Sequence, residues 1–276
     1  MKNRSFNLAK IAIQPLFIAL AFSILFVFYY MVTNSLKTGV EFAQSQYTLP
    51  GQLRFDNYLK AWFRDGVGLA FFNTLILSAI ATVLTLVCGS LAAYAFAIRK
   101  FPYHKLVLRV IVAMMYVSPM GIIIPLFIWI VKLGLLDNLY VTTLIYAGFY
   151  MPFSVFLLCT YFRSVPRNLI DAARIDGCGD LRLLFEMVIP TAKAGLLILV
   201  ILNFYYVWSN LLFSLIFLRS PENVTLMVAI GRYASRYRAD IPTKMATLVV
   251  ATIPLVVAFF IMRKRFIRGG LMGSFR

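Results

Sequence analysis

The chain has 276 residues, of which 62% are hydrophobic and only 13% are charged, and its formal net charge is +17 at pH 7. A soluble domain has about 25% charged residues, so water is not the main solvent of this protein. The positive charge does not indicate nucleic-acid binding, because no basic cluster is interleaved with exposed aromatic residues. The three cysteines are scattered and predict no disulfide framework.

Long apolar blocks predict an all-α integral membrane protein with a bundle of six transmembrane helices. A hydrocarbon core needs about 20 helical residues to cross it. Blocks such as LLILVILNFYYVW are apolar on every face, unlike the alternating strands of a membrane barrel. In chain order, the predicted spans are Ile11–Val32, Leu69–Ala97, Val110–Val131, Tyr140–Phe162, Ala194–Phe217 and Met245–Met262. Pro119, Pro125, Pro152 and Pro254 are expected to kink their helices.

Basic residues at the span ends predict the orientation in the membrane. An even number of spans places both termini on one side, and the positive-inside rule makes that side cytoplasmic. The first block is longer than the roughly 7 to 15 apolar residues of a secretory signal, so it is expected to be retained as the first membrane helix. A second basic cluster, RYASRYR at Arg232 to Arg238, lies on the opposite side. It suits partner docking, lipid headgroups or an acidic saccharide.

The absence of two sequence features reduces the number of possible functions. No ionisable residue lies well inside a predicted span, which disfavours a proton- or sodium-coupled carrier. The chain has no G-x-x-x-x-G-K-[ST] phosphate loop, so any ATP that drives it must be hydrolysed by a partner. No cofactor, metal site or catalytic cluster is predicted in this chain. An ion-independent carrier or a channel for a polar solute stays an alternative.

The polar segment SVPRNLIDAARIDGCGDLRLLFEMVIP, residues 164–190, has the pattern of a short surface helix followed by a turn. Pro166 fits its first turn and Gly177 fits a left-handed terminating position. Asp180 is expected to cap a second helical stretch that leads through Pro190 into the fifth span. Such a segment is either a helix that docks in a groove of another protein or a solvated elbow.

Polar side chains recur along the fifth predicted span. Asn203, Tyr206 and Asn210 stand at positions i, i+3 and i+7, so they share one helix face at membrane depth. Hydroxyl-rich solutes need such donors and acceptors together with aromatic faces. The stripe therefore predicts either a substrate path or interhelical hydrogen bonding to a partner membrane subunit.

Residues 164–190 resemble the E-A-A-x-x-D-G loop of binding-protein-dependent ABC importer permeases, in which a proline follows the glycine by thirteen positions. The matching residues are Asp171, Ala172, Ala173, Asp176, Gly177 and Pro190. The chain departs from the pattern at Asp171 for glutamate, Cys178 for alanine and Leu184 for an aromatic residue. The stretches FFNTLILS, GSLAAYAFAIRKFP, LGLLDN, MPFSVFLL and RFIRGGLMGSFR extend the similarity to the carbohydrate-uptake group, and to the second maltose-transporter-type permease in particular.

The resemblance implies a location in the bacterial inner membrane and a single permease domain over residues 1–276 with the fold of type I ABC importers. It implies a second permease subunit in a heterodimer, an ATPase dimer that binds ATP and Mg²⁺, an extracytoplasmic solute-binding protein and a sugar or oligosaccharide as substrate. Contact with the ATPase is implied for Asp171, Ala172, Ala173, Asp176 and Gly177. The tail glycines Gly269, Gly270 and Gly273 either reach the ATPase or belong to a flexible chain end.

Overall fold

The structure, a computed structural model, describes residues 2–236 and 240–272, with side chains described at 14–232 and 240–261. These residues contain helices and no strand, which confirms the predicted all-α class. The α-helices of the described residues are α1 (Lys2–Ser35), α2 (Gly39–Gln44), α3 (Asp56–Leu59), α4 (Val67–Tyr94), α5 (His104–Met114), α6 (Pro119–Lys132), α7 (Leu139–Arg163), α8 (Arg167–Ile175), α9 (Asp180–Leu183), α10 (Ile189–Thr191), α11 (Lys193–Trp208), α12 (Leu212–Phe217), α13 (Leu226–Arg236) and α14 (Ile241–Met272). π-Helical turns follow α3, α4 and α9 at Lys60–Arg64, Ala95–Arg99 and Leu184–Val188.

Four helical stretches among the described residues are long and apolar enough to cross a membrane. They are Gln14–Ser35, Val67–Arg99, Leu139–Arg163 and Ile241–Ile261. Two bent pairs, α5 with α6 and the 180–191 stretch with α11, bring the number to six if each pair is one span. This set agrees with the six predicted crossings.

The third predicted span, Val110–Val131, is not one helix. Helices α5 and α6 meet there at an angle of 94°. Pro119 is the first residue of α6, and Ser118 before it is extended, with φ −67° and ψ 136°. Proline has no N–H to donate and disfavours helical geometry in the residue before it, so the apolar run is broken at this point. Pro125, Pro152 and Pro254 instead lie inside continuous helices.

The fifth predicted span, Ala194–Phe217, is also divided. Helix α11 ends at Trp208, and α12 begins at Leu212. The side-chain oxygen of Asn210 accepts a hydrogen bond from the backbone N–H of Phe213 at 3.3 Å. Asparagine competes in this way for backbone donors and is disfavoured inside helices, which explains the break.

The chain forms two compact units. The first comprises residues 1–68 and 229–253. In it Asn57 donates through its side-chain amide to the carbonyls of Ser35 and Lys37, both at 2.8 Å, and Lys60 forms an ion pair with Asp240. These contacts hold the segment after α1 against other parts of the same unit.

The second unit comprises residues 69–228 and 254–276 and contains the candidate sites. One apolar core joins α4, α7, α8, α9 and α11, and a second joins α4, α6, α7 and α12. The first core lies at the end of the unit that carries α8. The single permease domain over 1–276 stays a prediction.

Candidate functional site

Helix α8, at the start of the 164–190 segment, has one buried face and one exposed face. Ile170 and Ala173 are 6% and 1% exposed and belong to the first core. Asp171 is exposed, and Ile175 is 87% exposed. An aliphatic side chain that stays exposed to water adds no hydrophobic stabilisation to the fold. Helix α8 is therefore anchored on one side and presents a free surface on the other.

The residues predicted for ATPase contact divide between these faces. Four are exposed, and the fifth, Ala173, is part of the anchor. The exposed members are Asp171, Ala172, Asp176 and Gly177. The structure brings all five onto one helix and the turn after it, and their contact with an ATPase stays a prediction.

The turn after α8 is a Schellman motif. The N–H of Cys178 donates to the carbonyl of Ala173 at 3.0 Å, and the N–H of Gly177 donates to Arg174 at 3.1 Å. Gly177 has φ +79°, which is the left-handed conformation predicted for it. A side chain at Gly177 would meet no atom within 4 Å, so glycine is required here by its backbone conformation.

The predicted capping role of Asp180 is wrong. Gly179 is the N-cap of α9, and no side-chain hydrogen bond caps that helix. The Asp180 carboxylate instead accepts a 2.8 Å hydrogen bond from the Tyr94 hydroxyl and pairs with the Arg99 guanidinium. Sequence reasoning missed this tie because the partners lie 86 and 81 positions earlier. In the sequence, the only indication of a partner for Asp180 is the basic residue Arg99 at the end of the second predicted span.

The residues after Asp180 connect α8 to the membrane helix α11 through a packed core. Leu183, Leu184 and Val188 are at most 1% exposed and lie in the core that holds Ile170 and Ala173. Close-packed side chains transmit displacement because they leave little free space. Helix α8 and the start of α11 are therefore joined by one packed core.

The three polar residues predicted to line a path have different surroundings. Asn203 is 1% exposed, and its amide nitrogen donates to Thr85 at 2.8 Å and to Ser154 at 2.9 Å. These bonds link α11 to α4 and α7 inside one chain. The structure gives Asn203 an interhelical contact, and a role for it in the path stays a prediction.

Tyr206 and Asn210 belong to a polar and aromatic cluster with Tyr146 and Tyr150. The Tyr150 and Tyr206 rings are stacked, with centroids 5.6 Å apart and an interplanar angle of 11°. The Asn210 amide donates to the Tyr150 hydroxyl at 3.3 Å, and the Tyr146 hydroxyl donates to Asn210 at 3.2 Å. Asn210 lies beyond the end of α11, so a loop brings it into the cluster. Tyr206 is 39% exposed.

Comparison with known proteins decides the family. Residues 85–269 match the family described as the binding-protein-dependent transport system inner membrane component. The chain belongs to this family. It is 32% identical over 248 residues to the melibiose/raffinose/stachyose import permease protein MelC of Bacillus subtilis strain 168, with 90% of each chain covered. It is 30% identical to the diacetylchitobiose uptake system permease protein NgcG of Streptomyces coelicolor, with 90% of this chain and 82% of the relative covered.

The same fold occurs in a solved structure of a bacterial ABC transporter involved in the import of the acidic polysaccharide alginate. The TM-score is 0.84 at 23% identity, with 96% of this chain and 98% of the other covered. The family match and the similarity to MelC confirm the resemblance to carbohydrate-uptake ABC permeases and the placement in the inner membrane with several spans.

Arg238 of the outer basic cluster and Gly273 of the tail lie outside the described residues.

Proposed function

We propose that this sugar permease is driven by a partner ATPase that grips the exposed face of α8. The observation that carries the proposal is the division of α8 into a buried anchor at Ile170 and Ala173 and a solvent face that ends in Ile175. A partner with an apolar cleft would bury Ile175 and surround it with polar contacts to Asp171 and Asp176. This is the helix-in-groove mode of recognition.

The proposed cycle is alternating access. Closure of the ATPase dimer displaces α8, and the shared core passes the displacement through Leu183, Leu184 and Val188 to α11. Broken helices suit such a cycle because their breaks allow segments to move as rigid pieces. In this chain the breaks lie between α5 and α6 and at both ends of α11.

The proposal requires several partners. A second permease forms a heterodimer with this chain, and an extracytoplasmic solute-binding protein delivers a sugar or oligosaccharide. ATP and Mg²⁺ bind to the ATPase dimer, and this chain is a non-catalytic subunit. Both termini lie in the cytoplasm, on the side of α8, as the positive-inside rule predicts.

We also propose that Tyr206 and Asn210 line the sugar path. Aromatic faces and amide groups are the chemistry that recognises hydroxyl-rich ligands. Tyr206 is 39% exposed, and Tyr206 and Asn210 both contact Tyr150. In this proposal Asn203 supports the path indirectly, because its hydrogen bonds to Thr85 and Ser154 hold α11 in place.

The direct test of α8 is retention of the ATPase by the purified complex. Ile175→Arg places a charge in the proposed apolar cleft, and we expect ATPase retention to fall at least tenfold. Leu53→Arg is the matched control, because Leu53 is 64% exposed in the connection after α1, on the opposite predicted side. Equal retention by the two variants would refute docking at α8.

A further inference from the structure

The second unit has a large cavity at its α8 end whose lining is strongly basic. The cavity has a volume of about 1010 Å³ and is bordered by α5, by the ends of α7 and of the π-helical turn after α4, and by α8. The basic residues of the lining are Arg99, Lys100, Lys105, Arg109, Arg163, Arg167 and Arg174. Asp171 is the only carboxylate in the lining as described.

Among the described residues, most of these basic side chains form no ion pair. Arg99 pairs with Asp180. In the part of the chain that the structure describes, Lys105, Arg109, Arg163 and Arg167 form no ion pair within 4 Å. Like charges around one cavity repel each other, and an anion in the cavity would relieve the repulsion. The cavity is therefore suited to a ligand with a negative charge.

The lining also changes character along the helices. Helix α5 lines the cavity from Lys105 to Val112. Helix α7 lines it in the opposite order, from the apolar Phe156 to the basic Arg163. At about 1.5 Å per residue, Lys105 and Val112 are roughly 10 Å apart along α5, as are Arg163 and Phe156 along α7, while Arg109 is roughly 5 Å from Val112. Helix α7 is a candidate membrane span, and α5 belongs to one if the bent pair of α5 and α6 is a single span. With both helices in spans, the apolar end would lie toward the membrane interior and the basic end toward the water.

We infer that this cavity binds an anionic phospholipid, with the headgroup phosphate among the basic residues and an acyl chain along Phe156, Leu108 and Val112. Basic pockets between membrane helices are a known setting for anionic headgroups. A soluble partner could satisfy the charges at the rim, but it would not reach the apolar wall at membrane depth. Charge and apolar surface together therefore favour a lipid over an acidic protein surface.

The site has a consequence for α8. Arg167 and Arg174, both on α8, line the cavity together with α5 and α7. A bound headgroup would join α8 to these two membrane helices. The inference rests on the cavity and its charges, and it stands whether or not an ATPase docks on α8.

The test counts lipids on the intact transporter complex. The complex is purified in nanodiscs of phosphatidylcholine with 20 to 30% phosphatidylglycerol, on the order of a native anionic fraction. It is then transferred to detergent, and the lipid that it retains is measured by native mass spectrometry. We expect one retained phosphatidylglycerol per copy of this chain. In Lys105→Gln/Arg109→Gln we expect its affinity to fall roughly tenfold or more, because each basic residue near a headgroup contributes to binding.

Controls separate this site from general surface charge. Arg182→Gln/Lys193→Gln removes two exposed basic residues outside the cavity lining, and we expect it to keep the lipid. The charge-preserving Lys105→Arg/Arg109→Lys should also keep it, which distinguishes lost charge from lost folding. Equal retention by the cavity variant and the Arg182/Lys193 control would overturn the inference. Displacement of the lipid by inorganic phosphate or by an oligouronate at millimolar concentration would overturn it as well, because the cavity would then bind a free anion.

Discussion

The Tyr94 hydroxyl donates a 2.8 Å hydrogen bond to the Asp180 carboxylate, and this bond ties the end of α4 to the start of α9. Tyr94 is 6% exposed, and Arg99 pairs with the same carboxylate. The tie holds the residues that follow the α8 turn against a long membrane helix. In the proposed cycle, these residues are the ones through which movement of α8 would reach α11.

We expect Tyr94→Phe to lower the free energy of unfolding by about 1 kcal/mol, the usual contribution of one hydrogen bond. Asp180→Asn should cost a similar amount, and the double variant should cost less than the sum because the two residues share one interaction. Thermal unfolding of the purified chain in detergent measures all three. Additive losses would mean that the two side chains do not interact.

Gly177→Ala is expected to destabilise the α8 turn by about 1 to 2 kcal/mol, because Gly177 has φ +79° and alanine is strained in that conformation. Gly177→Asn should cost less, since asparagine tolerates left-handed geometry. Gly179→Ala is the matched control, with φ −68° and no atom within 4 Å of a new Cβ. ATPase activity stimulated by loaded binding protein should fall in Gly177→Ala and stay normal in Gly179→Ala. The reverse order would contradict the role of the turn.

Gly195→Ala should destabilise the packing of α11 on α7. A Cβ at this position would overlap the Tyr161 ring. Overpacking of this kind costs about 1 to 3 kcal/mol. Gly148→Ala in α7 serves as the control because its new Cβ would meet no atom within 4 Å. Tyr161→Leu should partly rescue Gly195→Ala in thermal unfolding, and no rescue would show that the clash lies elsewhere.

Asp137 joins the loop before α7 to the segment after α12 and should make stability depend on acid pH. It accepts hydrogen bonds from the backbone N–H groups of Arg219 at 2.8 Å and Ser220 at 3.1 Å. Partial burial alone would raise the pKa of Asp137, but these hydrogen bonds outweigh it and hold the pKa below the ordinary value of 3.8.

Because this pKa is lowered on folding, the stabilisation by Asp137 is present above the ordinary carboxyl pKa and is lost as the pH falls through the folded value. Asp137→Asn should therefore unfold at a lower temperature than the wild type at pH 7, and the difference should shrink at the most acidic pH the complex tolerates. A difference that grows toward acid would have the wrong sign for this contact.

Tyr206→Leu and Asn210→Ala should impair sugar uptake without loss of assembly. Removing one hydrogen-bonding group from a solute path costs about 1 kcal/mol, or several-fold in apparent affinity. Tyr140→Leu is the control, because Tyr140 is 69% exposed at the other end of α7 from the α8 anchor. Asn203→Leu should instead lower thermal stability, since it leaves Thr85 and Ser154 without their shared donor. Unchanged uptake in both Tyr206→Leu and Asn210→Ala would remove these residues from the path.

The local features of the α8 segment were predictable from sequence because they depend on short-range chemistry. Gly177 ends a helix that begins after Pro166, and both residues act through their own backbone preferences. The six apolar blocks were predictable for the same reason, since hydropathy is a property of each block alone. The family resemblance rested on these local patterns.

Features that depend on tertiary contacts were not predictable. The sequence places Asn203 on a polar stripe along one helix. Its partners Thr85 and Ser154 lie on two other helices, and the residue pattern of one helix does not reveal them. The apolar run continues through Ser118 and Pro119, so the sequence predicts a kink there, whereas the structure has a break between two helices. The basic cavity draws its residues from two distant stretches of the chain, 96–112 and 156–174.

The most direct measurement of the central claim is uptake of a radiolabelled oligosaccharide into proteoliposomes that contain the two permeases and the binding protein, with and without the ATPase. With the ATPase and ATP on the α8 side, the sugar should accumulate against its gradient, and Ile175→Arg should abolish accumulation while Leu53→Arg should not. Accumulation in the absence of the ATPase, or in its presence with Ile175→Arg at the wild-type rate, would contradict a permease that is moved through α8.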